Sequence, residues 1–217
     1  MNFVLMVEGQ TEDKALREFL QKWLDQELPT KVGIKIVRFD GWSDLVKGAA
    51  AKVQWHLNNP REKDNIIAVI ALLDLYGPTF YPGNKATPAE RYEWAKSFME
   101  QKVGHPKFRQ HFAVHETEAW LLSEPSIFPQ AIEESLAGKY PPPEQINSHK
   151  PPSKLLIELY NIRLKREYKK ITDGKALFAK LSPDVAYQKC PSLKALLDEM
   201  RQLAGETANR SQKKRHR

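Results

Sequence analysis

The sequence predicts an α/β fold, a mostly parallel four-stranded sheet flanked by helices, with a C-terminal helical appendage. Three observations predict it. Over the first 122 residues, short apolar runs alternate with helical patterns in the order strand, helix, strand, helix, strand, helix, strand, the signature of βαβ units. The most apolar stretch, residues 66–73, is bounded by Asn65 and Asp74, as suits a central strand covered on both faces. From Ser123 onward, Pro125, Pro129, Pro141, Pro142, Pro143, Pro151 and Pro152 punctuate short helical patterns, and no clear strand remains. The expected division is an α/β domain over 1–122, a helical appendage packed on it over 123–209, and a basic, disordered tail over 210–217.

Each element has its own warrant. Residues 3–7 are an unbroken apolar run and form a first strand. Thr11 is a good N-cap for a helix whose apolar positions Ala15, Leu16, Phe19, Leu20, Trp23 and Leu24 recur at three- and four-residue spacing. Residues 34–39 alternate apolar and polar, as in a strand nearer an edge. Ser43 or Asp44 caps a second helix to about Leu57, which Asn58-Asn59-Pro60 stops. After the central strand, Gly77-Pro78 and Pro82-Gly83-Asn84 make a long loop. Pro88 starts a third helix to about Val103, residues 108–114 form a fourth strand, and Ala119 to Leu122 begin the helical remainder. Further helices are expected over 126–136, 153–168, 175–181 and 192–203. Trp55, Trp94 and Trp120 lie in helical patterns and read as core.

Composition narrows the function. The 217 residues are 41% hydrophobic and 28% charged, which excludes disorder throughout. The eight-residue apolar run is far below the roughly 18–20 residues that span a bilayer. The opening Met1-Asn2-Phe3-Val4-Leu5-Met6-Val7-Glu8 has neither a basic n-region nor a small-residue cleavage site, so a cytoplasmic protein with no membrane partner is expected. Cys190 is the only cysteine, which excludes an internal disulfide framework and a Cys-based zinc cluster. It precedes Pro191 and reads as a buried small residue. No G-x-x-x-x-G-K-[ST] loop and no serine nucleophile elbow occur. His105, His111 and His115 are not at helical zinc-site spacing.

Net charge is +7, from 34 basic and 27 acidic residues. Five of the bases, Arg210, Lys213, Lys214, Arg215 and Arg217, crowd the tail, which reads either as a solvated end or as a nucleic-acid contact. A second basic stretch runs from Lys150 to Lys175, where Lys150, Lys154, Arg163, Lys165, Arg166, Lys169, Lys170 and Lys175 face only three acids, Glu158, Glu167 and Asp173. That stretch suits an anionic ligand.

In open parallel sheets, ligands bind beyond the carboxyl ends of the strands. Three of the four expected strand ends are acidic: Glu8, Asp74, and His115-Glu116-Thr117-Glu118. Mg²⁺ takes oxygen ligands, typically one or two carboxylates with waters and substrate phosphates. Each acid also has a plain reading. Glu12 and Asp13 complement a helix dipole, Asp74 starts a turn, and Glu116 and Glu118 are helix-start acids with His115 as a solvated neighbour. Recurrence at one sheet edge is what raises them.

Val7-Glu8-Gly9-Gln10-Thr11-Glu12 resembles the V-E-G-x-T-E signature of Toprim domains, the Rossmann-like metal-binding fold of topoisomerases, primases and overcoming-lysogenization-defect nucleases. The chain as a whole resembles the Toprim-like bacterial family known as domain of unknown function 4276. That likeness rests on Asp74-Leu75-Tyr76, on His115 to Leu122, on Pro152-Ser153-Lys154, on Tyr168-Lys169-Lys170 with Asp173-Gly174, and on Cys190-Pro191, in that order along nearly the whole sequence.

The resemblance implies that Glu8 ligates a metal or acts as general acid or base, and that Gly9 permits the sharp turn. Asp74 takes the first acidic position of the Toprim D-x-D motif as the main metal ligand. Tyr76 stands where the second Asp would be, so Glu12, Glu116 or Glu118 is needed to substitute, Glu118 being favoured. Lys154 and Lys170 are candidates to offset charge on a phosphate. Tyr76, His115, Lys150, Arg163, Lys165, Arg166 and Lys169 complete the expected nucleic-acid contacts.

The function expected is a Mg²⁺- or Mn²⁺-dependent nuclease cleaving DNA or RNA, an effector of bacterial anti-phage defence beside a separately encoded ABC- or AAA-type ATPase. A rival reading is a non-catalytic nucleic-acid-binding or regulatory subunit of such an ATPase complex, for which Tyr76 is the best support. A third is an enzyme acting on a smaller phosphorylated molecule. Oligomeric state is not legible in the sequence.

Overall fold

The computed structural model describes residues 1–8, 13–138, 140–146 and 151–215, the side chains of residue 13 and of 211–215 excepted. Gly9, Thr11, Glu12 and Lys150, all singled out by the sequence, lie outside the described residues, as does Arg217. The fold is α/β. Strands β1 (Asn2–Glu8), β2 (Gly33–Phe39), β3 (Ile66–Asp74) and β4 (Phe108–Ala113) form one sheet in the order β2-β1-β3-β4. Every pairing is parallel, so the four-stranded sheet holds no antiparallel member.

The chain leaves β1 towards β2 on one side and crosses back to β3 and β4 on the other. Right-handed crossovers running in opposite directions put their helices on opposite faces. Helix α1 (Asp13–Glu27) therefore lies on one face, and α2 (Trp42–Asn58) and α3 (Pro88–Val103) on the other. Alternation along β1 serves both layers: Phe3, Leu5 and Val7 face α1, while Val4 and Met6 face α2 and α3. All six apolar positions expected on α1 are buried. In β3, Ile66 to Leu73 are buried without exception. Burying each Leu or Ile of such a strand stabilises the fold by roughly 1.5–3 kcal/mol.

The α1 face is completed by the C-terminal helices α4 (Glu118–Leu121), α5 (Gln130–Leu136), α6 (Pro152–Leu164), α7 (Lys175–Lys180), α8 (Pro183–Lys189) and α9 (Pro191–Arg215). One buried cluster joins Phe3 of β1, Trp23 of α1, Leu156 of α6 and Met200 of α9. The appendage thus supplies the outer layer of the sheet's own core. Among the described residues, no helix is long and apolar enough to cross a membrane.

Several expected boundaries move. Helix α2 begins at Trp42 after Gly41, whose φ of 87° suits glycine. Asp44 does not cap it there; its carboxylate accepts the Asp40 N–H at 3.2 Å. The helix expected over 126–136 is a 3₁₀ turn at Pro125–Ile127 followed by α5, because Pro129 has no N–H to continue the first turn. The one expected over 153–168 ends at Leu164, where Lys165 adopts a left-handed φ of 53°. Helix α9 runs twelve residues beyond Leu203 to Arg215, carrying helix into the tail expected to be disordered. Within it, Arg210 reaches back to Glu206 at 3.8 Å. Trp55 is 57% exposed rather than core, while Trp120 is fully buried and Trp94 packs at the margin of the α3 layer. Cys190 is buried as expected, and burial pushes its thiol well above the usual range.

Candidate functional site at the carboxyl edge of the sheet

Strand order β2-β1-β3-β4 makes the gap between β1 and β3 the topological switch point, where open α/β sheets bind ligands beyond their carboxyl ends. Glu8 ends β1 and Asp74 ends β3. The Asp74 N–H donates to Glu8 Oε1 at 3.4 Å, joining the two strand-end acids directly.

The loops after β3 and β4 stay zipped together past the strands. Leu75 N–H donates to the Ala113 carbonyl at 2.9 Å, and Tyr76 N–H to the His115 carbonyl at 2.8 Å. His115 holds a φ of 65° there, turning the chain back over the sheet edge. The Thr117 N–H then donates to Asp74 Oδ1 at 3.0 Å. Glu118, the first residue of α4, follows with a side chain only 2% exposed, and Thr117 Oγ1 donates to its Oε2 at 3.4 Å.

Lys170 closes the cluster. Its ammonium lies 3.2 Å from Glu118 Oε1 and 3.9 Å from Asp74 Oδ2. The segment that delivers it is locked by Arg166, whose guanidinium forks onto both Asp173 oxygens at 2.8 Å and lies 4.8 Å over the Tyr160 ring. Asp173 also accepts the Lys169 N–H at 2.8 Å. That pairing holds the Asp173 carboxyl below its usual range. A single π turn, Lys170–Gly174, follows. A Cβ on Gly174 would come within 3.0 Å of the Tyr168 hydroxyl, so glycine permits this close approach.

Of the two acids left open by the sequence, the structure gives them different work. Glu116 accepts the Ser153 N–H at 2.8 Å and the Ser153 hydroxyl at 3.0 Å, capping the first turn of α6 after Pro151 and Pro152. Its carboxylate is spent on a helix N-terminus. Glu118 is the one that joins Asp74 and Lys170.

The remaining expected residues are scattered. Tyr76 is 39% exposed beside the edge. His115, expected to face nucleic acid, is buried, and burial pushes its imidazole pKa down despite the nearby Glu116. Its ring is excluded from solvent because the left-handed turn folds it inward. Lys154, Arg163, Lys165 and Lys169 are exposed on or after α6. Arg166 is committed to Asp173.

Sequence reasoning gave no role to Thr117, Tyr81 or Tyr168. Tyr81 donates to the Leu75 carbonyl at 3.0 Å; burial pushes its phenol up, with Arg91 opposing and Glu8 and Asp74 adding to the rise. Tyr168 is buried, and its phenol is pushed up by burial first and then by Glu118. Thr117 and Tyr168 lie within motifs that carry the family resemblance, and only Tyr81 lies outside every motif. Among the described residues, no group of three His, Cys, Asp or Glu side chains is arranged to hold a metal ion.

The family model described as domain of unknown function DUF4276 matches residues 7–201. The chain belongs to this family. The DUF4276 match takes in Glu8, Asp74, Glu118 and Lys170, so every member of the cluster lies inside the family's span. No curated protein and no solved structure matches the chain.

Proposed function

We propose that this DUF4276 protein is a divalent-metal-dependent nuclease of Toprim type, cleaving phosphodiester bonds in DNA or RNA. The observation that carries the reading is the meeting of Glu8, Asp74, Glu118 and Lys170 at the switch point of a parallel sheet. Mg²⁺ and Mn²⁺ want oxygen donors, and Mg²⁺ needs only one or two carboxylates beside water and substrate phosphate. Two acids on neighbouring strand ends, Glu8 and Asp74, fit that donor set. The ion, when bound, polarises a phosphoryl oxygen and acidifies its water.

The chain's own residues do the rest. Thr117 N–H orients Asp74, fixing one oxygen and leaving the other towards Lys170. Lys170 offers positive charge where negative charge builds on a phosphate. Glu118, buried beside it, holds that ammonium in place. Lys154, exposed on α6, is the further candidate cation, and Glu12 the further candidate acid or base. The same reading makes the chain an anti-phage effector working with a separately encoded ABC- or AAA-type ATPase.

The second reading, a non-catalytic nucleic-acid-binding or regulatory subunit, is favoured by Tyr76 at the second acidic position. Cleavage of plasmid DNA and total tRNA in Mg²⁺, Mn²⁺ and chelator separates the two. Metal-dependent cutting that disappears in folded Glu8→Gln and Asp74→Asn variants supports the nuclease. Cutting that persists equally in both removes these acids from the reaction.

A further inference from the structure

The basic stretch from Lys150 to Lys175 is not the only cationic surface. A groove runs along the outer edge of β2, between that strand and α1. Its carboxyl half is lined by Lys14, Arg17, Ile34, Lys35, Ile36 and Arg38, with no acid among them. Its amino half shares Arg17 and Ile34 and adds Lys22 and Lys31. Two acids border that half, and both have partners: Asp25 accepts from Gln21 at 2.8 Å, and Glu18 lies 3.8 Å from Lys14. All six basic side chains are exposed. Lys35 turns to the other face, where its ammonium meets Glu62 at 2.8 Å and lies 5.8 Å over the Trp55 ring. The other five cations against two acids in one open groove attract a polyanion.

The strand forming the floor is an edge strand. The Gly33 N–H donates inward to the Met1 carbonyl. In a parallel ladder alternate residues turn their N–H and C=O the same way, so Ile34 and Ile36 turn theirs outward into the groove. The floor therefore presents N–H groups alternating with carbonyls, so the attraction for phosphate comes from the cationic walls. Seven residues of strand give it a length of about 23 Å.

Direction distinguishes this groove from a scattered basic surface. Arg38 pairs in register with Val7, one residue before Glu8, so the carboxyl end of the groove lies at the same sheet edge as Glu8 and Asp74. We propose that the β2 edge groove is a track for the phosphate backbone of a nucleic acid, entering past Lys31 and Arg17 and leading to the strand-end acids. The track's destination rests on the nuclease reading; its binding of phosphate backbone does not.

The test is binding of fluorescein-labelled single-stranded DNA and RNA oligonucleotides to the full chain in chelator, by anisotropy, over roughly 50–200 mM salt. Each phosphate contact on a single strand contributes about 0.7 to the slope of log K against log salt. The double variant Arg17→Ala, Lys31→Ala should lower that slope by about 1.4, and Arg17→Lys should keep it. The DNA and RNA arms tell which backbone is preferred. An unchanged slope in the double variant, or no binding by the wild-type chain, overturns the track. Failure of the nuclease reading looks different: oligonucleotide binding remains groove-dependent while no metal-dependent cutting appears.

Discussion

The Lys170 ammonium lies 3.2 Å from the Glu118 carboxylate, whose side chain is 2% exposed, and reaches Asp74 at 3.9 Å. A carboxylate so deeply buried stays ionised only if positive charge accompanies it. Lys170, at 42% exposure, remains open to solvent on its other side. It therefore serves two ends, compensating Glu118 and presenting charge to whatever sits over Asp74.

That pairing makes a measurable coupling. Glu118→Gln and Lys170→Met should each destabilise the protein, and in a double-mutant cycle they should couple by about 1 kcal/mol. The half-exposed ammonium keeps this below the 3–5 kcal/mol typical of breaking a fully buried pair. Urea unfolding of the four proteins gives the number, and additive losses would show that the two side chains do not act on one another.

Glu116 should behave differently from Glu118. Because it caps α6 through Ser153, Glu116→Ala should cost about 1 kcal/mol of stability, as lost caps do. Metal-dependent cutting per folded molecule should stay at the wild-type level. Loss of cutting with unaltered unfolding would reassign this acid to the chemistry.

The Arg166–Asp173 fork predicts a pH window. Its hydrogen bonds hold Asp173 below its usual 3.8 in the folded state, so the unfolded chain takes up a proton first as pH falls. The pair's contribution is complete above 3.8 and fades below it, as pH descends through the lowered folded value. Asp173→Asn should narrow its stability deficit against wild type over that acid range, read as converging urea midpoints. A deficit constant from neutral pH into acid would contradict this account of the lock that carries Lys170.

The sequence carried the frame of this molecule because the frame depends on local pattern. An eight-residue apolar run has only one comfortable place in a sheet, and β3 occupies it. The stripe from Ala15 to Leu24 marks one face of α1 at any register. Exposure of Trp55 was illegible because helical periodicity names a face without saying what covers it. The end of α6 was illegible because Lys165 takes a left-handed conformation for which lysine carries no signal. In the site, Glu8 and Asp74 were readable as strand-end acids. The division between Glu116 and Glu118 was not, since it depends on Ser153, 37 residues away. The β2 groove joins α1 to an edge strand; the alternation over 34–39 pointed to an edge, but its place beside β1 and α1 comes from the strand order.

The central claim is that Glu8 and Asp74 form an oxygen-donor site for a divalent ion beside Lys170. Calorimetric titration of Mn²⁺ into the full chain tests it most directly, with Asp74→Asn and Glu8→Gln variants shown by circular dichroism to be folded. The account predicts a saturable Mn²⁺ site in the wild-type protein that weakens at least tenfold in each variant, about 1.4 kcal/mol or more. Equal Mn²⁺ affinity in all three proteins, or no saturable binding in any, would contradict it.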